Sequence, residues 1–433
     1  MSYEAYAMSA CLEENCMPSS ESLGLWEEKG KLVLPTNQFI EPILEIGSGS
    51  FVWDIDGKKY LDLNCGQFCL CFGHNYAPFI EAVNRQLAKI THTNTNTLSS
   101  VVFQSLEKLI EITEGAFTAG ILLSTGSEAV EFALRFAKSI SRREKMAALD
   151  HGYHGLSLGS QSVSNSGKWA IPRVAGTLVV PVPKHQDEVV ACLAAAKRVL
   201  DENRGEIAAF IMEPILGAGG MIFPPIDFLK EVRAMCDQND VILIFDECQT
   251  GFGRTGRWFC YQKYGVTPDM LIFGKLSGAG FPVSGVLMND RLTEGMRHGT
   301  QTHFSSHQND PLPAAVLLFV IEEIERLNLL EVTENVGKVL LGKISDVARR
   351  RRALVDPRGI GLMTAFNLDE RLFADGKNPG HELTQLLLSS GVLIQSISRG
   401  RIFRVMPNFF ISMEDIDFFI EALDAAVEKV ANE

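Results

Sequence analysis

Short apolar runs alternate with amphipathic helical patterns through the middle of the chain, and this alternation limits the fold more than any other feature. Such runs are typical of parallel strands that are buried on both faces of a sheet. The sequence predicts buried strands at Ile121–Ser124, Met146–Asp150, Thr177–Val182, Ala208–Glu213, Val241–Asp246 and Met270–Gly274. It predicts helices at Ser127–Ile140, Asp227–Cys236, Pro313–Arg326, Glu331–Arg349 and Glu414–Val430. The chain is therefore expected to be an α/β protein with a mostly parallel central sheet.

The pattern changes near residue 330, where long charged helices and a few strands such as Arg401–Val405 replace the alternation. Near the other end, Gly47–Asp62 is typical of a β-hairpin that turns at Asp56 and Gly57. We expect this hairpin to join the C-terminal segment in a smaller α+β domain. The predicted division is an N-terminal arm and first part of the small domain (1–75), a large domain (76–328) and the rest of the small domain (329–433).

The charge balance excludes some classes of partner. The 433 residues include 40 Lys and Arg against 53 Asp and Glu, which gives a net charge of −13. A negative surface disfavours nucleic acid or an anionic membrane as the main partner, although a small anionic ligand needs only a local positive site. With 46% hydrophobic residues the chain can bury a core, so intrinsic disorder is excluded as its main state.

The cysteines and the N-terminal sequence bear on location. The first basic residue is Lys29, so no secretory or transit signal is expected, and no apolar run approaches the roughly 18–20 residues of a membrane span. Nine cysteines include a cluster at Cys65, Cys69 and Cys71. No second Cys/His pair at zinc spacing follows it, which favours buried reduced thiols over a metal site and predicts a reducing cytoplasm.

Polar residues follow the predicted strands at their carboxyl ends, where open α/β sheets bind ligands. Thr125, with Glu128 three residues later, could form a capping box, and the same helix start could bind an anion such as phosphate. Asp246 ends the most apolar strand and needs a partner, although a helix cap or a buried hydrogen bond would also satisfy it. Lys275 follows a buried strand and must be paired or deprotonated, which suits Schiff-base chemistry.

A helix N-terminus, an acid and a desolvated lysine together suit a phosphorylated aldehyde cofactor. The chain resembles the class III aminotransferases, which are pyridoxal phosphate (PLP) enzymes of fold type I, over nearly its whole length. The stretches that carry the resemblance are Phe51–Gly57, Ser124–Glu128, Gly152–Gly155, Met212–Pro214, Phe245–Arg254 and Gly274–Pro282.

The resemblance implies a role for individual residues. It makes Lys275 the Schiff-base lysine and proton carrier, and Asp246 the partner of the protonated ring nitrogen. It also assigns ring contacts to Tyr153 and Gln249, the phosphate site to Thr125, Gly126 and Ser127, and the substrate α-carboxylate to Arg404.

One branch of the family, the 2,2-dialkylglycine decarboxylases, is similar at Ser306–Val316, at Cys65–Gln67 and at Glu213–Leu216. This similarity implies that Ser306 reaches the phosphate in the neighbouring subunit of a homodimer. It implies substrate contacts for Gln67 and Glu213, and it raises an alkali-ion site at Asp310 near Ser306 and Thr95, with a local hydrogen bond as the alternative. Tyr153 replaces the Trp of that branch, and Pro407–Phe410 replaces its Pro-Pro run.

Four functions remain open at this point. The first is a PLP aminotransferase that moves an amino group from an amino acid to a keto or aldehyde acceptor. The second is decarboxylation-dependent transamination, and the third is an aminomutase of the same fold. The fourth is a non-catalytic relative, against which the presence of Lys275 and Asp246 argues.

Overall fold

The computed structural model describes residues 20–36, 39–40, 42–165, 175–297 and 303–431. Its centre is a seven-stranded sheet. The strands, numbered along the chain, are β4 (Ala119–Leu123), β5 (Lys145–Leu149), β6 (Thr177–Val180), β7 (Ile207–Met212), β8 (Ile242–Asp246), β9 (Met270–Phe273) and β10 (Ser284–Met288). Their order in the sheet is β4-β10-β9-β8-β7-β5-β6, and only β10 runs antiparallel to its neighbours within this sheet. The predicted α/β fold with a mostly parallel sheet is confirmed.

The six predicted strands are confirmed to within two residues at each end. β6 ends at Val180 rather than Val182, because Pro181 has no N–H with which to continue the ladder. β10 was not predicted. It returns antiparallel between β4 and β9, and the pattern of short apolar runs and helices does not contain that information.

Helices cover both faces of this sheet, which explains why its strands are apolar throughout. Ile242 and Ile244 of β8 pack in the same hydrophobic cluster as Val130 of the helix that follows β4. Leu243 and Phe245, which point to the other face, join the larger cluster of the opposite layer. The polar residues after the strands therefore lie where the packed layers end.

The five predicted helices are confirmed, each slightly longer than expected. Ser412 caps the last of them, since its Oγ accepts a hydrogen bond from the amide of Asp415 at 3.0 Å. The helices are α1 (Ser20–Lys29), α2 (Ala77–Leu87), α3 (Ser100–Glu111), α4 (Gly126–Ser141), α5 (Leu158–Ser162), α6 (Val189–Glu202), α7 (Ile226–Gln238), α8 (Cys260–Tyr264), α9 (Asp290–Arg297), α10 (Pro311–Arg326), α11 (Leu329–Arg350), α12 (Pro379–Ser389) and α13 (Met413–Ala431).

Two four-stranded sheets lie outside the central one. They have the orders β1-β2-β3-β13 and β11-β12-β15-β14. The strands are β1 (Leu44–Ser48), β2 (Phe51–Asp54), β3 (Lys59–Asp62), β11 (Leu354–Ile360), β12 (Met363–Leu368), β13 (Val392–Leu393), β14 (Gln395–Ile397) and β15 (Ile402–Val405). β13 pairs with β3 in parallel, so the two ends of the chain share one sheet. The predicted hairpin is confirmed, with Gly57 in its turn at a φ of 81°. The domain boundaries stay a prediction, and residues 1–19 of the predicted arm lie outside the described residues.

Buried Arg254 ties the segment after β8 to the C-terminal part of the chain. Its guanidinium donates to the carbonyls of Leu362 at 3.1 Å and Pro407 at 2.5 Å, and to Sγ of Cys65 at 3.3 Å. The side chain is 0% exposed. One buried cation therefore links three segments that are distant in sequence.

The cysteines in the described ranges carry free thiols; of the cluster predicted to be buried, Cys65 and Cys71 are buried and Cys69 is half-buried. None of the helices in the described ranges is both long enough and apolar enough to cross a membrane.

Candidate active site

Four neighbouring strands of the central sheet lead into polar side chains on one side. In the spatial order β9, β8, β7, β5, the residues at or after the strand ends are Lys275, Asp246, Glu213 and Tyr153. The carboxyl ends of parallel strands face the same edge of a sheet, where α/β proteins bind ligands. The fold therefore brings together four predicted site residues that lie far apart in the sequence.

Asp246 is held as a carboxylate by a buried histidine. Nδ1 of His154 donates to Oδ2 of Asp246 at 2.9 Å, and the amide of Cys248 donates to Oδ1 at 3.1 Å. Burial opposes ionisation, but the hydrogen bond and charge of His154, together with the Lys275 ammonium, hold the pKa of Asp246 below its usual value. Asp246 is thus a buried anion that is suited to hold a proton on a ring nitrogen.

Glu213 fixes the loop that carries Tyr153. Its Oε1 accepts from the amide of Tyr153 at 2.8 Å, and its Oε2 accepts from the amide of Gly217 at 3.1 Å. Burial raises the pKa of Glu213 to about 7, although His154 opposes this rise. Since both carboxyl oxygens are engaged by the main chain, the structure shows a role in positioning Tyr153, and the predicted substrate contact of Glu213 stays a prediction.

Tyr153 itself is kept neutral by its surroundings. Burial raises the pKa of its phenol, and the negative charges of Asp246 and Glu213 raise it further. The phenol therefore stays protonated at neutral pH and is available as a flat, uncharged surface beside Asp246.

Helix α4 begins directly after β4, as predicted. Thr125 is its N-cap, with Oγ1 accepting from the amide of Glu128 at 3.3 Å. The reciprocal half of the predicted capping box is wrong, because Oε2 of Glu128 accepts from the amide of Ser124 at 3.0 Å instead of that of Thr125. The first-turn amides at Gly126 and Ser127 have no partner within the helix, so they can bind a phosphate.

Cys248 occupies the space beside two glycines at this edge, where a larger side chain would otherwise lie. A Cβ on Gly126 would lie 3.0 Å from Sγ of Cys248, and one on Gly274 would lie 3.1 Å from it. Any larger residue at 126 or 274 would force Cys248 to move. The first turn of α4 and the residue before Lys275 therefore pack closely around one thiol.

Lys275 starts a short 3₁₀ turn that follows β9. Its φ of 49° is in the left-handed region, which a side chain adopts only when its surroundings impose it. Its ammonium also affects Cys69: burial raises the pKa of this thiol, and Lys275 opposes the rise. Lys275 therefore lies within electrostatic range of both Asp246 and Cys69.

Arg404 on β15 is a buried cation without a carboxylate among its described hydrogen-bond partners. Nη2 donates to Oε1 of Gln395 on the neighbouring strand, and the guanidinium lies 4.6 Å from the centre of the Phe68 ring. Its Nε is buried and has no hydrogen-bond partner. Burial lowers the pKa of Arg404 to about 10, against the effect of Glu213, so the group stays charged at neutral pH. Gln67, the neighbour of Phe68, is exposed beside it.

The sequence also predicted Gln249, Ser306 and Asp310 as residues of the site or near it. Gln249 is buried, and its Nε2 donates to the sulfur of Met406 at 3.4 Å. Ser306 is exposed in the loop before α10, and its neighbour Ser305 donates to Glu128 at 2.8 Å. Asp310 is buried at the end of that loop.

The sequence did not single out two residues of the site. His154 lies inside the quoted stretch Gly152–Gly155, so its motif was recognised although its contact with Asp246 was not. Gln395 lies in a short strand without a motif, and only the register opposite Arg404 reveals its role.

The chain is similar to known proteins and structures over most of its length. The aminotransferase class-III profile matches residues 36–427. An acetylornithine aminotransferase from Methanosarcina mazei is 31% identical over 92% of this chain and 95% of that protein. A transaminase structure from the marine bacterium Virgibacillus aligns with a TM-score of 0.89 and 26% identity, covering 94% of this chain and 99% of that one. An amine transaminase from an uncultivated Pseudomonas species, solved with PLP bound, aligns with a TM-score of 0.84 and 27% identity, covering 92% and 98%.

The fold and these comparisons define a PLP-dependent enzyme of fold type I. The chain belongs to the class III aminotransferase family. It is a transaminase that moves an amino group from an amino acid donor to a keto or aldehyde acceptor. The relatives named here are aminotransferases, so the comparisons give no support to the decarboxylase branch or to an aminomutase.

The residues present fit PLP as the cofactor. The amides at the start of α4 suit its phosphate, and Asp246 is a buried anion near Lys275. A lysine, a carboxylate and a helix start with free amides thus lie at one edge of the sheet.

Proposed function

We propose that Lys275, Asp246 and Tyr153 form the catalytic centre of this transaminase and that Arg404 selects substrates with a carboxylate. One observation carries the proposal: Lys275 and the Asp246–His154 pair lie at adjacent strand ends, close enough for the Lys275 charge to lower the pKa of Asp246. Lys275 is half-buried, and the buried Asp246 already has His154 as its hydrogen-bond partner, so packing alone gives no evident reason for placing the lysine beside this carboxylate.

When bound, PLP supplies an aldehyde that condenses with amines and a ring that withdraws electrons. The amides of Gly126 and Ser127, with Thr125, would bind its phosphate, and Ser306 of a second subunit would complete that site. Asp246 would hold the proton on the ring nitrogen. Tyr153 and Gln249 would contact the ring and its oxygen substituent.

Lys275 is proposed to bond covalently to the cofactor at rest and to carry a proton to and from the substrate carbon when released. Its backbone is in the left-handed region, and it lies two residues after the end of β9, so the strand limits the position of its main chain. Because Asp246 stays anionic below neutral pH, its electrostatic support for the lysine persists across the physiological range.

Arg404 and Gln67 are proposed to bind the substrate carboxylate. The guanidinium is charged, buried and stacked on Phe68, and it faces an amide rather than an acid. Its charge is therefore available to a carboxylate ligand, for which a bidentate contact is the preferred geometry. We propose an α-amino acid as donor on this ground.

Lys275→Ala tests the proposal directly. The purified wild-type protein should be yellow, and borohydride should fix the cofactor to Lys275, which peptide mass spectrometry can locate. The variant should lose the fixed adduct and turnover. Lys230→Ala, which changes an exposed lysine on α7, is the matched control and should keep both. An adduct that persists in the Lys275 variant would refute the assignment.

We further propose that the active form is a cytoplasmic homodimer, with the loop that carries Ser306 at the interface. Exposed apolar side chains support this proposal: Phe304 is 74% exposed, Leu158 75% and Phe103 61%. Burying such side chains against a second copy removes apolar surface from water.

A subunit-mixing experiment tests the dimer. Lys275→Ala and Ser306→Asp homodimers should each be nearly inactive, the second because its carboxylate repels the phosphate. Exchange between them creates mixed dimers in which one site has both native residues, provided that Ser306 acts across the interface. Activity should therefore return on mixing, and no recovery despite subunit exchange would contradict the proposed role of Ser306.

A further inference from the structure

Three side chains with metal-binding atoms converge at the start of α10, outside the centre described above. They are His92, from the segment between α2 and α3, and His307 and Asp310, from the loop before α10. Their ligand atoms all lie within 4.8 Å of one another. This group plays no part in the chemistry assigned to Lys275 and Asp246.

Asp310 is the buried centre of the group. Its Oδ1 accepts from Nδ1 of His92 at 2.6 Å, and its Oδ2 accepts from Nδ1 of His307 at 2.7 Å. The Asp310 side chain is 6% exposed, whereas those of His92 and His307 are 48% and 63% exposed. The carboxylate is therefore anchored in the protein, and the two imidazoles close over it from the solvent side.

We propose that His92, His307 and Asp310 bind a divalent transition-metal ion of the zinc type. Two imidazole nitrogens and one carboxylate oxygen are a preferred ligand set for Zn²⁺ and leave a fourth position for water. Alkali ions prefer oxygen ligands only, so two imidazoles favour the transition metal over the alkali ion raised by the sequence at Asp310.

Binding of the ion requires the two imidazoles to move. Two ligand atoms on one tetrahedral Zn²⁺, each at about 2.0–2.1 Å, are about 3.3 Å apart. His92 and His307 contact different oxygens of Asp310, at 2.6 and 2.7 Å, so the nitrogen on the oxygen that ligates the ion must move out by roughly 0.6–0.7 Å while the other nitrogen turns towards the same ion. Because both imidazoles are largely exposed, rotation of their side chains can supply this movement while Asp310 stays in place.

The ion would connect the segment around His92 to the loop that leads into α10. That loop is already joined to the phosphate-binding end of the sheet: Oδ1 of Asn309 accepts from the amide of Leu122 on β4 at 2.9 Å, and Ser305 donates to Glu128 on α4. Metal binding is thus expected to stabilise the part of the protein next to the phosphate site.

The test uses full-length holoenzyme without a histidine tag, treated with a chelator and then titrated with ZnCl₂ in a calorimeter. One equivalent of Zn²⁺ should bind per chain, and the melting temperature should rise. His307→Gln changes an exposed side chain and should weaken Zn²⁺ binding by about tenfold or more. Asp310→Asn should do the same, and His381→Gln, which changes a histidine on α12, is the matched control and should bind as wild type.

Three results would overturn the proposal. The first is the absence of Zn²⁺ binding, and the second is Zn²⁺ binding that His307→Gln leaves unchanged. The third is stabilisation by K⁺ or Na⁺ without stabilisation by Zn²⁺, which would assign Asp310 to an alkali-ion site.

Discussion

Gln395→Glu is the sharpest test of the substrate site, because it changes the charge beside Arg404 and almost nothing else. Gln395 on β14 lies opposite Arg404 on β15, and its Oε1 accepts from the guanidinium. A glutamate of the same shape keeps this contact and adds a negative charge. It would also raise the pKa of Arg404 from about 10, where burial holds it, towards the ordinary value.

The magnitude follows from what the new carboxylate replaces. A hydrogen bond to a charged group contributes about 1.5–3 kcal/mol, and the internal glutamate competes for the contact that the substrate carboxylate makes. The expected loss is therefore about 10- to 150-fold in kcat/KM for an α-amino acid donor. A primary amine donor without a carboxylate does not use this contact and should lose little.

The assay is the first half-reaction, followed as the change in the absorbance spectrum of the bound cofactor after donor addition. Both donors are tested on wild type and variant, and the ratio of their losses isolates the carboxylate contact from any general damage. An equal loss for both donors, or no loss for the amino acid, would refute the assignment of Arg404.

Two further predictions concern stability. Burial raises the pKa of Glu213 from 4.5 to about 7, so its protonated form stabilises the fold below about pH 4.5 and this contribution is lost as pH rises through about 7. Glu213→Gln cannot ionise, so calorimetry of the apoprotein should show a smaller fall in melting temperature from about pH 5 to pH 8 than in wild type, and parallel curves would contradict the cause given. Arg254→Met leaves the carbonyls of Leu362 and Pro407 unpaired in the interior, which costs about 3–5 kcal/mol in total and should lower the melting temperature by about 3–5 °C. The exposed Arg257→Met is the control, and an equal shift in both variants would count against the linking role of Arg254.

Local patterns predicted most of the central sheet correctly. Strand and helix positions follow from hydrophobic periodicity, which each segment carries by itself, and six strands and five helices were confirmed on this basis. β10 was missed because its antiparallel insertion between β4 and β9 depends on pairing with two strands from elsewhere in the chain. The capping box at Thr125 was half wrong for a related reason: Glu128 also binds Ser305, a residue far along the chain, and its other oxygen turns to Ser124.

The same division holds within the site. The motifs around Lys275, Asp246 and Thr125 were recognisable because each is a short run of residues at the end of a strand. The partner of Asp246 is 92 residues away, and the partner of Arg404 is set by strand register. Neither partner has a local signal that names what it contacts.

The sequence by itself determined the α/β class, the order of strands and helices, and the resemblance to class III aminotransferases, because periodicity and motif spacing are local properties of the chain. Only the tertiary structure decided which side chains meet. It sets His154 against Asp246, Gln395 against Arg404, and His92 with His307 around Asp310, the last across 218 residues. Such contacts depend on the packing of whole elements, which position buried charges and the groups that satisfy them.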